Sequence, residues 1–96
     1  MSSAMITVTT KPADTVWFNV ANPEVAKRYG DWARSQPGYV TSSTQRVAPN
    51  TIQNIIIFDT QENLDAFMAA MAANPDHQER EAYKASHGQV STTTIR

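Results

Sequence analysis

Thr51-Ile52-Gln53-Asn54-Ile55-Ile56-Ile57-Phe58-Asp59 decides the fold. The run from Ile55 to Phe58 is unbroken apolar sequence, rich in β-branched residues and free of Gly and Pro, which specifies a strand with two apolar faces. Alternation sends Ile52, Ile56 and Phe58 to one side and Ile55 and Ile57 to the other. Both sides need cover. The flanking chain offers a single layer of helices, so the second cover is expected from another copy of the same chain, making the working unit a homodimer joined through the sheet face.

Working outward, Asp59 or Thr60 caps a helix whose apolar stripe is Leu64, Phe67, Met68 and Met71. Asn74-Pro75-Asp76 opens a separate helix that ends before Gly88, polar except for Ala82, Tyr83 and Ala85, and Gln89 to Ile95 is a β-branched closing strand. On the other side, Tyr39 to Ala48 is a polar strand ended by a turn at Pro49-Asn50. Asn22-Pro23-Glu24 starts a helix that Gln36-Pro37-Gly38 stops, with Val25, Tyr29, Trp32 and Ala33 inward and Lys27, Arg28, Asp31 and Arg34 in water. Thr15 to Val20 reads as the first main strand because it leads directly into that helix, with Trp17 and Asn19 on one face and Val16, Phe18 and Val20 on the other. Met5 to Thr10 is then expected to be an edge strand or an arm, about residues 5–10. The order βαββαβ predicts an α+β, ferredoxin-like antiparallel sheet with helices on one face, a single domain over 1–96.

Bulk properties narrow the function. The 96 residues contain no Cys, which excludes disulfides, thiolate metal sites and a catalytic thiol. Neither a membrane span nor a signal segment is visible, so a cytoplasmic protein is expected. Net charge is −1 with Lys and Arg scattered along the chain, a pattern without a basic stripe for nucleic acid. The Gly residues at 30, 38 and 88 belong to a helix or its end, leaving no phosphate loop, and no G-x-S-x-G elbow occurs.

Three segments carry a family resemblance: Gln36-Pro37-Gly38-Tyr39, the run Phe58-Asp59-Thr60-Gln61-Glu62-Asn63-Leu64-Asp65-Ala66-Phe67, and Asn74-Pro75-Asp76-His77-Gln78. Together, over about Thr15 to Arg96, the chain resembles the antibiotic-biosynthesis-monooxygenase-like members of the dimeric α+β barrel superfamily. The resemblance implies a small homodimer with a pocket between sheet and helices in each subunit. It also implies oxidation of small aromatic or quinol-type molecules without a cofactor. For the heme-degrading branch it implies an Asn on the first strand, a Trp after the third and a His on the last helix. Asn19 is the candidate for the first, but Asp59, Thr60 and Gln61 stand near the Trp position and Tyr83 near the His.

Candidate site residues follow from both readings. Trp17, Tyr29, Trp32, Phe67 and His77 are expected to bind substrate, and Asn19 with the Tyr83 hydroxyl to hold a substrate oxygen. A mid-strand Asn is either exposed or specifically partnered, which makes Asn19 the most informative of these. Arg46 is positioned either to meet an anion or to face solvent at a sheet edge. His77 and Glu81 lie four apart with His87 further on, but two nitrogen ligands without a third do not make a metal site. The alternative to an enzyme is a non-catalytic dimeric protein that binds a small molecule or serves a structural role.

Overall fold

A computed structural model describes residues 1–96. The elements are β1 (Ser3–Thr10), α1 (Phe18–Ala21), α2 (Pro23–Arg34), β2 (Tyr39–Ala48), β3 (Thr51–Phe58), α3 (Gln61–Ala72), α4 (Pro75–Ser86) and β4 (Val90–Ile95). The four strands form one antiparallel sheet in the order β2-β3-β1-β4, the ferredoxin-like arrangement, with the helices on one face.

β3 is the strand expected at 51–58, and its neighbours fix its faces. Register pairs Ser3 with Phe58, Met5 with Ile56, Thr7 with Asn54 and Thr9 with Ile52, so these residues face the helices together. Ala4, Ile6 and Val8 lie opposite Ile57, Ile55 and Gln53 on the outer face. The division of Ile52, Ile56 and Phe58 from Ile55 and Ile57 is therefore the one alternation predicts.

The first strand is corrected. Ser3–Thr10 pairs along its length with β3 and, over Met5–Thr10, with β4, so it is a central strand and neither an arm nor an edge. Thr15–Val20 is not a strand: Thr15 to Trp17 is irregular chain and Phe18 to Val20 belong to α1. Its β-branched and aromatic composition favours extended chain, but with β1 already bonded on both sides the sheet has no vacancy beside β3. Phe18 buries instead against Tyr83, ring edge toward face at 5.4 Å, while Val16 and Val20 stay exposed.

Caps set the helix starts. Thr60 rather than Asp59 caps α3, accepting from the Asn63 backbone at 3.1 Å, and Asn74 caps α4 by accepting from the Asp76 and His77 backbones at 2.8 and 3.1 Å. Asn22 precedes α2, but its side chain makes no cap bond. Gly38, at φ +82°, turns the chain into β2, and its carbonyl accepts from the Asp59 backbone at 2.8 Å.

The closed core sits at one end of the helix-facing side. Phe58 and Leu64 are wholly buried, Phe67 and Ala33 nearly so, and Met5, Trp32, Tyr39, Ile56, Met68 and Met71 pack around them. Only 8 of 96 residues are buried, so the outer sheet face has nothing over it. That face presents Ala4, Ile6, Val8, Ile55 and Ile57 beside Thr41, Ser43, Gln45, Gln53, Thr92 and Thr94, with Arg96, opposite Ala4, as its one charged residue at the margin.

Candidate functional site

Side chains facing the helices form rows across the sheet, and their character changes from one end to the other. At the core end Tyr39, Phe58 and Ser3 form one row and Ser42, Ile56, Met5 and Ile95 the next. Beyond them lie Thr44-Asn54-Thr7-Thr93 and then Arg46-Ile52-Thr9-Ser91. The apolar rows are filled by Leu64 and Phe67 of α3. Over the polar rows α1, α2 and α4 leave an open cleft of about 690 Å³.

The helix wall of this cleft is aromatic, with Trp17, Phe18, Tyr29 and Phe67, and the sheet wall carries hydroxyl and amide groups from Thr7, Thr9, Ser42, Thr44 and Asn54. Thr44 Oγ1 donates to Asn54 Oδ1 at 2.6 Å, which fixes the amide and leaves its NH₂ group free to donate. Gln89 closes the far end. It is 6% exposed, and its Nε2 donates to the Val16 carbonyl at 2.9 Å and to Thr15 Oγ1 at 3.3 Å, while its buried Oε1 has no partner. A buried acceptor without a partner is costly.

α4 contributes charge. Arg80 lies over the Tyr29 ring at 4.5 Å and bonds His77 Nδ1 at 3.1 Å, and Lys84 donates to Ser91 Oγ at 2.7 Å. Burial holds the Tyr29 hydroxyl above its usual range, with Arg80 pulling the other way. Burial also lowers the His77 pKa, Arg80 adding to the effect, so the ring is neutral at pH 7 and accepts through Nδ1. Ala82 and Ala85 of α4 are exposed, contrary to expectation, because its inner face carries Arg80, Glu81 and Lys84 instead.

The structure brings together Trp17, Asn19, Tyr29 and Phe67 of the sequence candidates on the cleft wall. Asn19 belongs to α1 and is exposed, so it is not the mid-strand Asn expected, and β1 contains no Asn to match the heme-degrading pattern. Trp32, His77 and Tyr83 lie outside the cleft lining. Trp32 packs on Phe67 at 5.7 Å between ring centres, and His77 stands 6.0 Å from Tyr29. Tyr83 donates to the Val16 carbonyl at 2.8 Å and stacks on His87 at 3.9 Å, tying α4 to the segment that carries Trp17 and Phe18. No three His, Asp or Glu side chains converge as a metal site.

Sequence reasoning passed over Asn54, Gln89, Arg80 and Lys84. The signal for Asn54 was present, since an amide inside the run TIQNIIIF has to be exposed or specifically bonded. Arg46, left open between an anion and solvent, faces the helix side and lines the cleft.

No protein-family model and no curated protein matches the chain. Solved structures do. SnoaB, a cofactor-independent oxygenase from Streptomyces nogalater, superposes with a TM-score of 0.68 at 14% identity over 99% of this chain and 90% of its own. A candidate antibiotic biosynthesis monooxygenase from Nitrosomonas europaea gives 0.70 at 12% identity over 99% and 88%, and Rv0793 from Mycobacterium tuberculosis 0.68 at 12% over 100% and 93%. Likeness over the whole chain at such identities establishes a shared fold, the ferredoxin-like fold of antibiotic-biosynthesis-monooxygenase-like proteins. No helix is long and apolar enough to cross a membrane.

Proposed function

We propose that the chain is a homodimer, paired through its outer sheet face, in which each cleft oxidises a small aromatic or quinol-type molecule with O₂ and no cofactor. The observation that carries this reading is the cleft with one aromatic wall and one hydrogen-bonding wall. A flat ring system stacks on Trp17 and Tyr29, while Asn54 donates to a ring oxygen from the sheet wall. SnoaB, named as a cofactor-independent oxygenase, shares the fold and so raises the weight of this chemistry without fixing it.

The substrate supplies all the electrons. In an anthrone, the CH₂ carbon loses two hydrogens and gains a carbonyl from one atom of O₂. The other atom leaves as water with both hydrogens, so no reductant is required. The protein's part is to favour the ionised substrate, by donors and cations around its oxygen, and to hold it in one pose. Asn19 at the mouth and Trp17 beside it orient the ring, and Tyr83 acts as a positioning residue through its bond to Val16.

The pairing rests on the outer face, which is apolar at Ala4, Ile6, Val8, Ile55 and Ile57 and carries one charged residue, Arg96, at its margin opposite Ala4. A specific observation also favours the second reading, a non-catalytic binding protein: neither a His nor a carboxylate lines the cleft to act as general base. Oxygen uptake with a panel of anthrones and naphthoquinols separates the two. Uptake above the spontaneous rate, lowered about 100-fold in Asn54→Ala as for loss of one oxyanion donor, supports the enzyme. Binding of the panel with no uptake above the blank rejects it in favour of the binding protein.

A further inference from the structure

The charge around the cleft is far more biased than the chain as a whole. Of the 8 Lys and Arg residues, Lys27, Arg34, Arg46, Arg80 and Lys84 line it, whereas none of the 9 Asp and Glu residues does. Lys and Arg that look scattered in a chain of net charge −1 are thus gathered by the fold.

Two carboxylates that do not line the cleft compensate part of this charge, one of them Glu81, whose Oε2 is buried beside Arg80 and Lys84. Asp31 takes Lys27 and Arg34, each at 2.7 Å, and Glu81 takes Lys84 at 2.7 Å. Arg46 has neither an ion pair nor a side-chain hydrogen bond. Arg80 comes no closer than 3.9 Å to Glu81 through Nε, too long for a hydrogen bond, and that buried Nε has no other partner. Leaving a buried cationic donor unbonded is among the costlier things a fold can do. Nε itself is closed to solvent, but the Arg80 side chain is 28% exposed, so an anion in the cleft meets the guanidinium at its accessible edge and balances its charge.

Placement makes the three useful cations a set. Arg80 lies one helical turn before Lys84 on α4, and Lys84 is bonded to Ser91; Arg46 ends the row of Ser91 at the opposite edge of the sheet, about 14 Å away at three strand spacings, and joins the other two only with its side chain laid along the row. They surround the polar end of the cleft, away from the Phe58 core. We propose that the natural ligand is an aromatic carboxylate, its carboxyl group held by Arg80, Lys84 and Arg46 and its ring body on Trp17 and Tyr29. A single ring oxygen that ionises during oxidation would need only one of these cations, whereas a planar guanidinium fork suits a permanent carboxylate. The inference rests on the cleft being the ligand site, as in the preceding section, but not on turnover.

The test is calorimetric titration of the whole protein with 3-hydroxy-2-naphthoate and its neutral amide, 3-hydroxy-2-naphthamide, at low and moderate salt. The acid is expected to bind at least ~10-fold more tightly than the amide, a preference that weakens with salt. In Arg80→Gln and in Arg46→Gln the acid should lose about 10-fold while the amide is nearly unaffected, as expected for loss of one charge-assisted bond. Retained amide binding shows that each variant is folded, and the exposed strand position of Arg46 keeps the test alive if Arg80→Gln does not fold. Arg28→Gln, which removes a cation bonded to Asp76 and outside the cleft, should leave the preference intact. Equal affinity for acid and amide, no binding of the acid, or a preference that survives both variants overturns the proposal. Acid preference without oxygen uptake would reject the oxygenase reading and leave this one standing.

Discussion

A charge placed at Ile55 tests the pairing of two copies most directly. Ile55 lies in the middle of the outer face, opposite Ile6 across β1 and opposite Ser43 across β2. In a single chain Ile55→Lys gives up part of one half-buried side chain, roughly 1–2 kcal/mol of transfer free energy, because the long Lys stem can carry its ammonium into water. In a self-paired face the outcome differs. No carboxylate stands on that face to receive the ammonium, and an isologous interface contains the change twice. Taking about 2 kcal/mol per buried, uncompensated ammonium as a low figure, the pair costs about 4 kcal/mol, or roughly a thousandfold in dissociation constant. Sedimentation velocity across a micromolar concentration series reads this out. The wild type should sediment as a dimer and Ile55→Lys as a folded monomer, while Ala82→Lys, on the exposed side of α4, stays dimeric. A wild-type monomer at these concentrations, or an Ile55→Lys dimer, would refute the reasoning.

Three further outcomes follow from the fold. Phe58→Ala, at the wholly buried centre where Phe67 stacks at 4.8 Å and Tyr39 meets it edge-on at 6.2 Å, should cost about 3–5 kcal/mol in denaturant titration; a loss below about 1 kcal/mol would mean the core is not where Phe58 places it. Gly38→Ala should destabilise by at least ~1–2 kcal/mol, because φ is +82° and a methyl group there would meet the Asp59 and Asn63 side chains, and an unchanged melting temperature would contradict that backbone. His77 has a folded pKa below its unfolded value, so between the two the unfolded chain binds more protons and stability falls as pH drops below about 6.5. Arg80, Lys84, Glu81 and Tyr29 surround that ring, and the loss should shrink in His77→Gln, measured by thermal melts at neutral and mildly acidic pH.

Most of the fold was legible where a physical signal had one meaning. The Ile-rich run could only be a strand, the Asn-Pro-acid starts could only open helices, and the alternation of Ile52 to Phe58 assigned both faces of β3. Thr15–Val20 failed because its composition suits a strand as well as a short helix held by one buried Phe, and only the pairing of Ser3–Thr10 on both sides removes the choice. The candidate site was half legible for the same reason. Aromatic residues at helical spacing identify a helix face, but whether Trp32 joins Phe67 in the core or opens toward a cleft depends on what fills the sheet rows opposite. The rule for a mid-strand amide applies to Asn54, fixed within β3, and not to Asn19, which is exposed on α1.

α4 carries the most functional information, because its composition conflicts with its position. A helix laid on a sheet normally turns an apolar stripe inward, yet α4 sets Arg80 and Lys84 on the cleft and leaves Ala82 and Ala85 in water. Had the space beneath it been packed like the region under α3, burying those charges would have cost several kcal/mol each. The arrangement is stable because the sheet rows below offer Thr7, Thr9, Asn54 and Ser91 in place of Ile56 and Phe58, and because a cleft of about 690 Å³ admits water or a ligand between the two. A polar inner face on the last helix and a polar half of the sheet are thus complementary features. Together they keep this end of the molecule open, and the surplus of cations there favours an anionic occupant over water.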